Sequence, residues 1–361
     1  MNDANELISF IASMSGEGNL RVEENLGEGY VRLRVSEAER RQAKHDIQHV
    51  EDIVIEMLRN ARDAGADKVY LATTKEDGVR TLVFLDNGSG VPQDMQERIF
   101  DARVTSKLES MKMDRWGVHG RGMALFSIKQ NTDEARVVAS DVDLGSVFKV
   151  SVATDRLGER ADQSSWPQAV KDEDGHYVCA RGPHNIIRAA CEFALEELRA
   201  CDVYLGSPSE IAATLHARAS SRLDASRLLF IDDEAELPVV DRLGLASDAE
   251  DFIRICSGLG LEMSERTAHR ILAGQIKPVR GVTARLLRER DSSSHAPAPV
   301  DLAKDRRGLR IAKDDMAQFS RAVERDFNDL AARYYLNLCG DPKIRVSRDR
   351  ITVTFDLAKE E

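Results

Sequence analysis

Glu56, Asn60 and Asp63 occupy positions i, i+4 and i+7 of a predicted helix, so that the three side chains share one face. A carboxylate at Glu56 can accept a proton from an attacking water molecule. The amide oxygen of Asn60 is a hard ligand for Mg²⁺ and brings no negative charge towards a triphosphate. This face therefore offers a base and a metal ligand, although a solvated helix face has the same pattern.

Two glycine-rich segments follow this helix. Asp86 ends an apolar run and precedes Gly88 and Gly90, which let the backbone approach a flat ligand, and a buried Asp86 can accept a hydrogen bond from the amine of adenine. Residues 117–122, GVHGRG, precede a predicted helix, and glycines in that place expose backbone N–H groups to an anion. No strand directly precedes them, so they form neither a dinucleotide-binding fingerprint nor a Walker A loop.

The motifs are attached to an alternating series of predicted helices and strands that ends near Thr154. Apolar residues at helical spacing predict a helix from about Glu37 to Ala64, which stops before Gly65. Two strands joined by a turn follow, at Asp67–Thr74 and Arg80–Asp86. After them come a short helix from Gln93 to about Phe100, a polar segment up to Trp116, a helix from Met123 to about Gln130, and two more strands at 135–142 and 146–153.

In order and spacing, the three motifs resemble the GHKL ATPases, whose Bergerat fold is shared by DNA gyrase B, the ninety-kilodalton heat-shock chaperones, histidine kinases and MutL. The continuation DAGADKV, residues 63–69, is similar to MutL. The resemblance covers about residues 45–155 and implies an α/β fold, a two-layer sandwich of a mixed sheet with helices on one face. The family's ExxxNxxDA stands here as Glu56, Asn60, Asp63 and Ala64, and its DxGxG stands as Asp86, Gly88 and Gly90. Its TSK stands as Thr105, Ser106 and Lys107, and its GxxGxGxxxxSI stands as Gly117, Gly120, Gly122, Ser127 and Ile128.

This resemblance implies a site for ATP and Mg²⁺, with Glu56 as the catalytic residue and Asn60 as the metal ligand. The residues that it assigns to nucleotide binding come from all of these motifs and are Asn60, Asp63, Asp86, Gly88, Gly90, Thr105, Lys107, Gly117, Val118, His119, Gly120, Arg121 and Gly122.

The residue type at position 56 separates two reactions of the family. The gyrase, chaperone and MutL branches hydrolyse ATP and carry Glu four positions before the metal-binding Asn, whereas kinases typically carry Asn there and transfer phosphate. His45 and His49 lie on the same predicted helix as Glu56, too close to form a separate phosphoacceptor helix. We therefore predict Mg-dependent ATP hydrolysis, with a histidine-kinase-like phosphotransferase as the alternative.

Further cations can complete such a site. The predicted lid, from Asp101 to Trp116, contains Lys107, Lys112 and Arg115, which can swing onto the phosphates once ATP binds. Hydrolytic relatives also use a lysine from a following domain, for which Lys277 is a candidate. Ordinary surface roles remain open for these side chains.

The sequence predicts an ATP-binding domain at 1–230, a helical region at 235–290, a Ser/Pro-rich linker at 291–300 and a C-terminal part at 301–361. The C-terminal part is expected to hold a helix from about Lys313 to Leu338 and a hairpin. Between residues 261 and 290, seven bases accompany three acids. This segment resembles a helix-turn-helix reader and the helix-two-turn-helix insert of the topoisomerase VI B subunit, and a small bundle packed on the ATPase domain is the alternative.

Composition limits the classes of partner. The 361 residues give room for about two domains. With 62 acids, 51 bases and a net charge of −11, the chain can contact DNA only through a local basic patch. No apolar run approaches the roughly 18 residues of a membrane span, the N-terminal segment is acidic, and the five cysteines form no CxxC pair. We therefore expect no membrane partner, a cytoplasmic location and reduced, mostly buried thiols.

Two function classes remain open. The first is an ATP-gated machine that forms a homodimer when ATP binds and acts with a protein partner subunit on DNA. The second is an ATP-driven chaperone or signalling switch that acts on protein. The basic residues between 261 and 290 favour the first class.

Overall fold

The computed structural model describes residues 22–106, 112–119, 122–198, 200–223, 233–287, 313–331, 336–340, 342–346 and 351–359. The chain divides into two compact units, Met1–Asp291 and Ser292–Glu361. The predicted linker at 291–300 lies outside the described residues, and the predicted boundary near residue 230 stays a prediction.

The described strands of the first unit alternate with its helices along the chain. The strands are β1 (Val22–Gly27), β2 (Tyr30–Leu33), β3 (Lys68–Glu76), β4 (Val79–Asp86), β5 (Val104–Thr105), β6 (Lys112–Asp114), β7 (Gly117–His119), β8 (Glu134–Ser140), β9 (Ser146–Ala153), β10 (Gln168–Lys171), β11 (Tyr177–Arg181) and β12 (Asp202–Gly206). The helices are α1 (Glu37–Asp46), α2 (Val50–Asp63), α3 (Ala124–Asn131), α4 (Ile186–Glu196), α5 (Pro208–Arg222), α6 (Ala249–Gly258) and α7 (Glu265–Leu272). Short 3₁₀ turns cover Gln93–Met95, Arg98–Phe100, Glu234–Glu236 and Arg242–Leu245.

The central sheet has five strands in the order β12-β3-β4-β9-β8. β12 is parallel to β3, and the other neighbours are antiparallel. β3 and β4 pair over their whole length, from Val69 opposite Asp86 to Glu76 opposite Val79, as expected for the predicted hairpin. This mixed sheet with packed helices confirms the predicted α/β fold class.

Helices cover both faces of this sheet, which extends the predicted two-layer arrangement with helices on one face. Val69 and Leu71 of β3 face a core built with α2, α3 and α4. Tyr70 and Ala72 point to the opposite face, where they pack in a second core with α5, α6 and α7. The physical reason lies in the strands themselves, since consecutive apolar residues place hydrophobic side chains on both sides of a sheet.

The predicted helix from Glu37 to Ala64 is two helices, α1 and α2. Ser36 and Glu39 form a capping box that starts α1. Between the helices the backbone is extended at Ile47 and His49, and the Asp52 carboxylate accepts hydrogen bonds from the N–H groups of Gln48 and His49 at 3.0 and 2.9 Å. This carboxylate gives α2 a separate start, which apolar spacing alone does not indicate.

Two other predicted helices differ in length or type. The short helix expected from Gln93 to Phe100 is replaced by the 3₁₀ turns Gln93–Met95 and Arg98–Phe100. In the second unit, α8 (Lys313–Ala331) is shorter than the predicted helix ending at Leu338. The described strands of that unit are β13 (Leu336–Leu338), β14 (Lys343–Val346), β15 (Ile351–Thr354) and β16 (Leu357–Lys359), which pair as β13-β16 and β14-β15.

The N-terminal hairpin of β1 and β2 extends to the region of the predicted lid. β2 pairs with β5, with Val31 opposite Thr105 and Arg32 opposite Val104. The N–H of Leu33 donates to the carbonyl oxygen of Arg103 at 3.0 Å. The residues before α1 therefore support the strand that carries Thr105.

All five cysteines are free thiols, and Cys191, Cys201 and Cys256 are buried, as the sequence predicts. Burial raises the pKa of Cys256 to about 12, so its thiol stays protonated at neutral pH. Among the described helices, none has the length and apolarity needed to cross a membrane.

Candidate active site

A cavity of about 480 Å³ opens between α1, α2, the end of β4 and the start of α3. Seven of the residues that the resemblance assigns to catalysis or nucleotide binding line it, although they are spread over much of the first unit's sheet and helices. They are Glu56, Asn60, Asp63, Asp86, Gly90, Thr105 and Gly122.

Asn60 is half-buried in the wall of this cavity. Its amide nitrogen Nδ2 is buried and has no hydrogen-bond partner among the described residues. The amide oxygen is therefore the polar atom through which Asn60 can meet a ligand. The carboxylate of Asp63 lines the same wall, so two residues there carry oxygen atoms of the type that Mg²⁺ prefers.

Asp86 lies at the end of β4 and is only 4% exposed. Its Oδ1 accepts a hydrogen bond from the N–H of Gly88 at 2.8 Å. A carboxylate has about four acceptor sites, so it can also accept a hydrogen bond from a ligand. Burial makes such a bond effective, because a buried donor without a partner is costly.

Glycines 88 and 90 are required by close backbone packing. A Cβ at Gly88 would lie 2.8 Å from the carbonyl oxygen of Ala64. Gly90 has a φ of +71°, and a Cβ there would overlap the carbonyl oxygen of Asp141. Gly88 holds the turn after Asp86 against the end of α2, and Gly90 holds it against the turn between β8 and β9. Gly88 itself does not line the cavity.

Gly122 and Thr105 lie on the side of the cavity next to β5. Gly122 has a φ of +67°, and a Cβ there would lie 2.9 Å from the carbonyl oxygen of Val104. Its own carbonyl oxygen accepts a hydrogen bond from the N–H of Arg103 at 2.8 Å. The last glycine of GVHGRG is thus packed directly against the strand that carries Thr105.

The rest of GVHGRG does not open a helix. Gly117, Val118 and His119 form β7, which pairs with β6 in a short hairpin. The helix α3 begins later, at Ala124. Backbone pairing to β6 competes with the predicted phosphate-loop conformation of these residues. Lys107, Gly120 and Arg121 lie outside the described residues.

The candidate cations of the sequence have different positions. Arg115 pairs with Glu192 at 3.5 Å and lies over the Trp116 ring. Lys277 is exposed beyond α7 and does not line the cavity. Neither side chain therefore reaches the cavity in this structure.

A buried ion network lies behind Glu56, and the motifs did not predict it. Arg59 donates from Nε and Nη2 to the two carboxylate oxygens of Asp114, both at 2.9 Å, and from Nη1 to Glu56 Oε1 at 2.7 Å. Arg62 donates to Asp63, Asp114 and Glu197 at 3.1, 3.2 and 3.1 Å. The signal for Arg59 was its helical spacing of three residues from Glu56, whereas no local pattern indicates Asp114.

The two arginines of this network are charged. Burial alone would lower the pKa of Arg62, but hydrogen bonds to Glu197 and Asp63 and to Asp114 outweigh burial and raise it. The side chains of Arg59 and Asp114 are 3% and 6% exposed. The two arginine side chains and those of Asp63 and Asp114 are thus held apart from solvent, whereas Glu56 and Glu197 are about a fifth exposed.

α1 and β2 contribute cavity residues that the sequence analysis missed. Tyr30, Glu39, Gln42 and Asp46 line the cavity, as does Arg103. Arg103 pairs with Glu39 and has a φ of +62°, outside the range usual for arginine. A hydrogen bond from the backbone of Ser36 is the main cause that lowers the pKa of Glu39. These residues precede or interrupt the motifs, so motif spacing could not indicate them.

Comparisons with known proteins match the part of the chain that contains Glu56, Asn60 and Asp86. Residues 47–140 match the family described as histidine kinase-, DNA gyrase B- and HSP90-like ATPase. The DNA mismatch repair proteins MutL of Staphylococcus aureus strains Newman, JH1 and N315 are each 28% identical to the chain over 136 residues, 35% of this chain. The match covers 20% of each relative, so the chain spans about a fifth of their length. Residues 47–140, which contain α2 and the turn after Asp86, therefore form a domain of the GHKL ATPase type.

Proposed function

We propose that the chain binds ATP with Mg²⁺ in this cavity and hydrolyses it. One observation carries the proposal: Glu56 and Asn60 on α2 and Asp86 at the end of β4 line the same cavity. A base, a neutral oxygen ligand and a buried acceptor for an amine thus share one space of about 480 Å³, a size that fits a nucleotide. The family of the domain supports the same assignment.

Each of these residues has a chemical role in the proposed reaction. Asp86 accepts a hydrogen bond from the amine of adenine, which orients the nucleotide. Asn60, with Asp63 nearby, holds Mg²⁺ through oxygen, and the ion would neutralise charge on the phosphates. Glu56 takes a proton from a water molecule while the oxygen of that water bonds to the terminal phosphorus of ATP. The bond between that phosphorus and the leaving oxygen of ADP breaks at the same time.

Phosphotransfer to a protein side chain is the alternative reaction. It would use the same cavity, but a protein nucleophile would replace water, and the proton would not need Glu56. Free inorganic phosphate as the product supports hydrolysis, and a phosphorylated protein supports transfer. Glu56 favours hydrolysis because water needs a base in that place.

ATP binding should depend on Asp86. We expect Asp86→Asn to weaken binding of a non-hydrolysable ATP analogue by about 1 to 3 kcal/mol, or roughly 5- to 150-fold in Kd. The N–H of Gly88 holds the one remaining side-chain oxygen, and the new NH₂ group cannot accept a hydrogen bond from the adenine amine. Isothermal titration calorimetry with Mg²⁺ measures this change. Asp94→Asn is the matched control, since Asp94 is exposed and does not line the cavity. Unchanged affinity in a folded Asp86→Asn protein would contradict the adenine assignment.

We also propose that ATP binding drives a homodimer and that the protein acts on DNA with a partner subunit. The surface that supports a DNA contact is on α7. Ala268 and Ile271 are buried in the core, whereas Arg266, His269 and Arg270 are exposed on the other side. Glu262 and Glu265 lie near these bases, so the positive surface is narrow. The name of the MutL relatives includes DNA mismatch repair, which also favours DNA over a protein substrate.

Duplex DNA binding by the full chain should weaken as salt rises, and it should depend on α7. Replacing Arg266 and Arg270 together by alanine should make the slope of log K against log salt shallower by roughly two units, because about one counterion is released for each phosphate contact. Arg254→Ala is the control, because Arg254 lies on α6 and pairs with Glu234. Fluorescence anisotropy at several salt concentrations measures the slopes. Equal slopes for both variants, or no DNA binding, would favour the chaperone or signalling class.

A further inference from the structure

Asp114 is the shared carboxylate of the ion network behind Glu56. It accepts two hydrogen bonds from Arg59 and one from Arg62, and its Oδ1 also accepts one from the N–H of Trp116 at 3.0 Å. Asp114 ends β6, so the hairpin of β6 and β7 holds it from its own side. The carboxylate is thereby fixed both by its own backbone and by two arginines of α2.

Arg59 links this carboxylate to Glu56. A guanidinium group is planar and rigid, so the paired hydrogen bonds to both oxygens of Asp114 set the orientation of the whole group. Its remaining edge donates from Nη1 to Glu56 Oε1 at 2.7 Å. The position of the Glu56 carboxylate in the cavity wall therefore depends on the place of Asp114.

We propose that Asp114 is a positioning residue for Glu56 and acts through Arg59. The inference rests on the proposed function, in which Glu56 is the base for ATP hydrolysis. Asp114 does not line the cavity, so it has no direct contact with the nucleotide to lose. Its removal should disturb the chemical step and leave binding intact.

The network tolerates loss of this carboxylate better than loss of an arginine. Among the described residues it combines two arginines with four carboxylates, those of Glu56, Asp63, Asp114 and Glu197. Removing one carboxylate reduces an excess of negative charge, whereas removing an arginine increases it. Asp114→Asn is therefore expected to fold.

The first measurement is steady-state kinetics of Asp114→Asn. We expect kcat to fall roughly 10- to 100-fold, because a base that is displaced by a fraction of an ångström loses its alignment with the water. The Kd of a non-hydrolysable ATP analogue should stay at the wild-type value. Glu197→Gln is the matched control, because it removes one carboxylate from the same network, and within that network Glu197 pairs with Arg62 and not with Arg59. Its kcat should stay near that of the wild type.

A double-mutant cycle tests whether Asp114 acts through Glu56. In single-turnover assays, the variant with both Glu56→Gln and Asp114→Asn should be as slow as Glu56→Gln alone, because the base is already absent. Losses that multiply would overturn the inference and assign Asp114 a separate role. A merely structural role would lower kcat equally in Asp114→Asn and Glu197→Gln.

Different results would contradict the proposed function and the positioning role of Asp114. If Glu56→Gln hydrolyses ATP as fast as the wild type, the proposed function is wrong and the positioning role falls with it. If Glu56→Gln is inactive but Asp114→Asn keeps the wild-type kcat, only the positioning role is wrong. Should Asp114→Asn fail to fold, Asp114→Glu keeps the charge and displaces the oxygens by one methylene. It should lower kcat with unchanged Kd, and a wild-type kcat would overturn the inference.

Discussion

Replacing Glu56 by glutamine should lower the rate of ATP hydrolysis by about 10²- to 10⁴-fold while ATP affinity stays nearly unchanged, as is typical when a general base is removed. Glutamine has almost the same shape, and its amide oxygen can still accept the hydrogen bond from Arg59. It cannot take a proton from water. Binding and chemistry should therefore separate in this variant.

A phosphate-release assay measures the rate, and calorimetry with the non-hydrolysable analogue measures the affinity. Glu97→Gln is the control, because Glu97 is exposed and lies outside the cavity. EDTA should abolish the wild-type rate if Mg²⁺ is required. A Glu56→Gln protein as active as the wild type would contradict the assignment of Glu56 as the base. Phosphate transfer to a protein would then be the favoured reaction.

The same variant also tests the proposed dimer. If ATP binding drives dimerisation and hydrolysis ends it, the slow variant should remain dimeric with ATP for longer than the wild type. Size-exclusion chromatography with ATP and Mg²⁺ measures the fraction of dimer. If the protein stays monomeric at all ATP concentrations, the proposed ATP-driven dimer is wrong. The proposal that the chain hydrolyses ATP is not affected by that result.

Local patterns predicted the parts of the site that depend on neighbouring residues in the chain. The spacing of Glu56 and Asn60 needs only a regular helix, and α2 provides it. Gly90 and Gly122 were predicted from glycine spacing, and their positive φ values explain why glycine is needed there. The same reasoning predicted the β3-β4 hairpin from alternating turns and apolar runs.

Long-range contacts were beyond these patterns. Nothing near Asp114 indicates that it meets Arg59, 55 residues earlier in the chain. The strand conformation of Gly117 to His119 results from pairing with β6, which glycine spacing does not reveal. The second layer of helices had a signal that could have been used, because the continuous apolar run from Val69 to Ala72 predicts a strand that is buried on both faces.

Arg59→Gln should be one of the most destabilising single substitutions in the first unit. The Arg59 side chain is 3% exposed, and it is hydrogen-bonded to both Glu56 and Asp114. Its removal leaves these carboxylates without their shared cation in a region of low solvent access. Breaking a buried ion pair in this way typically costs about 3 to 5 kcal/mol in the free energy of unfolding.

Urea denaturation followed by tryptophan fluorescence measures this loss, since both tryptophans, Trp116 and Trp166, lie in the first unit. The matched control is Arg254→Gln, whose arginine pairs with Glu234 at 2.7 Å but has a side chain 60% exposed. Exposed pairs contribute at most about 1 kcal/mol, so the control should change stability little. Equal losses in the two variants would mean that burial of the network adds nothing to the stability of the fold.

A double variant separates lost attraction from unpaired charge. If the cost of Arg59→Gln arises from leaving Asp114 with Arg62 but without the paired hydrogen bonds of Arg59, then adding Asp114→Asn should recover part of the stability. Removal of the same carboxylate from the wild type should instead lower stability, because there Arg59 still needs its partner. A change of sign between the two backgrounds is expected only when the two groups interact directly. Such a result would show that Arg59 and Asp114 couple α2 to the β6-β7 hairpin, beside the hydrogen bond from Arg62 to the same carboxylate.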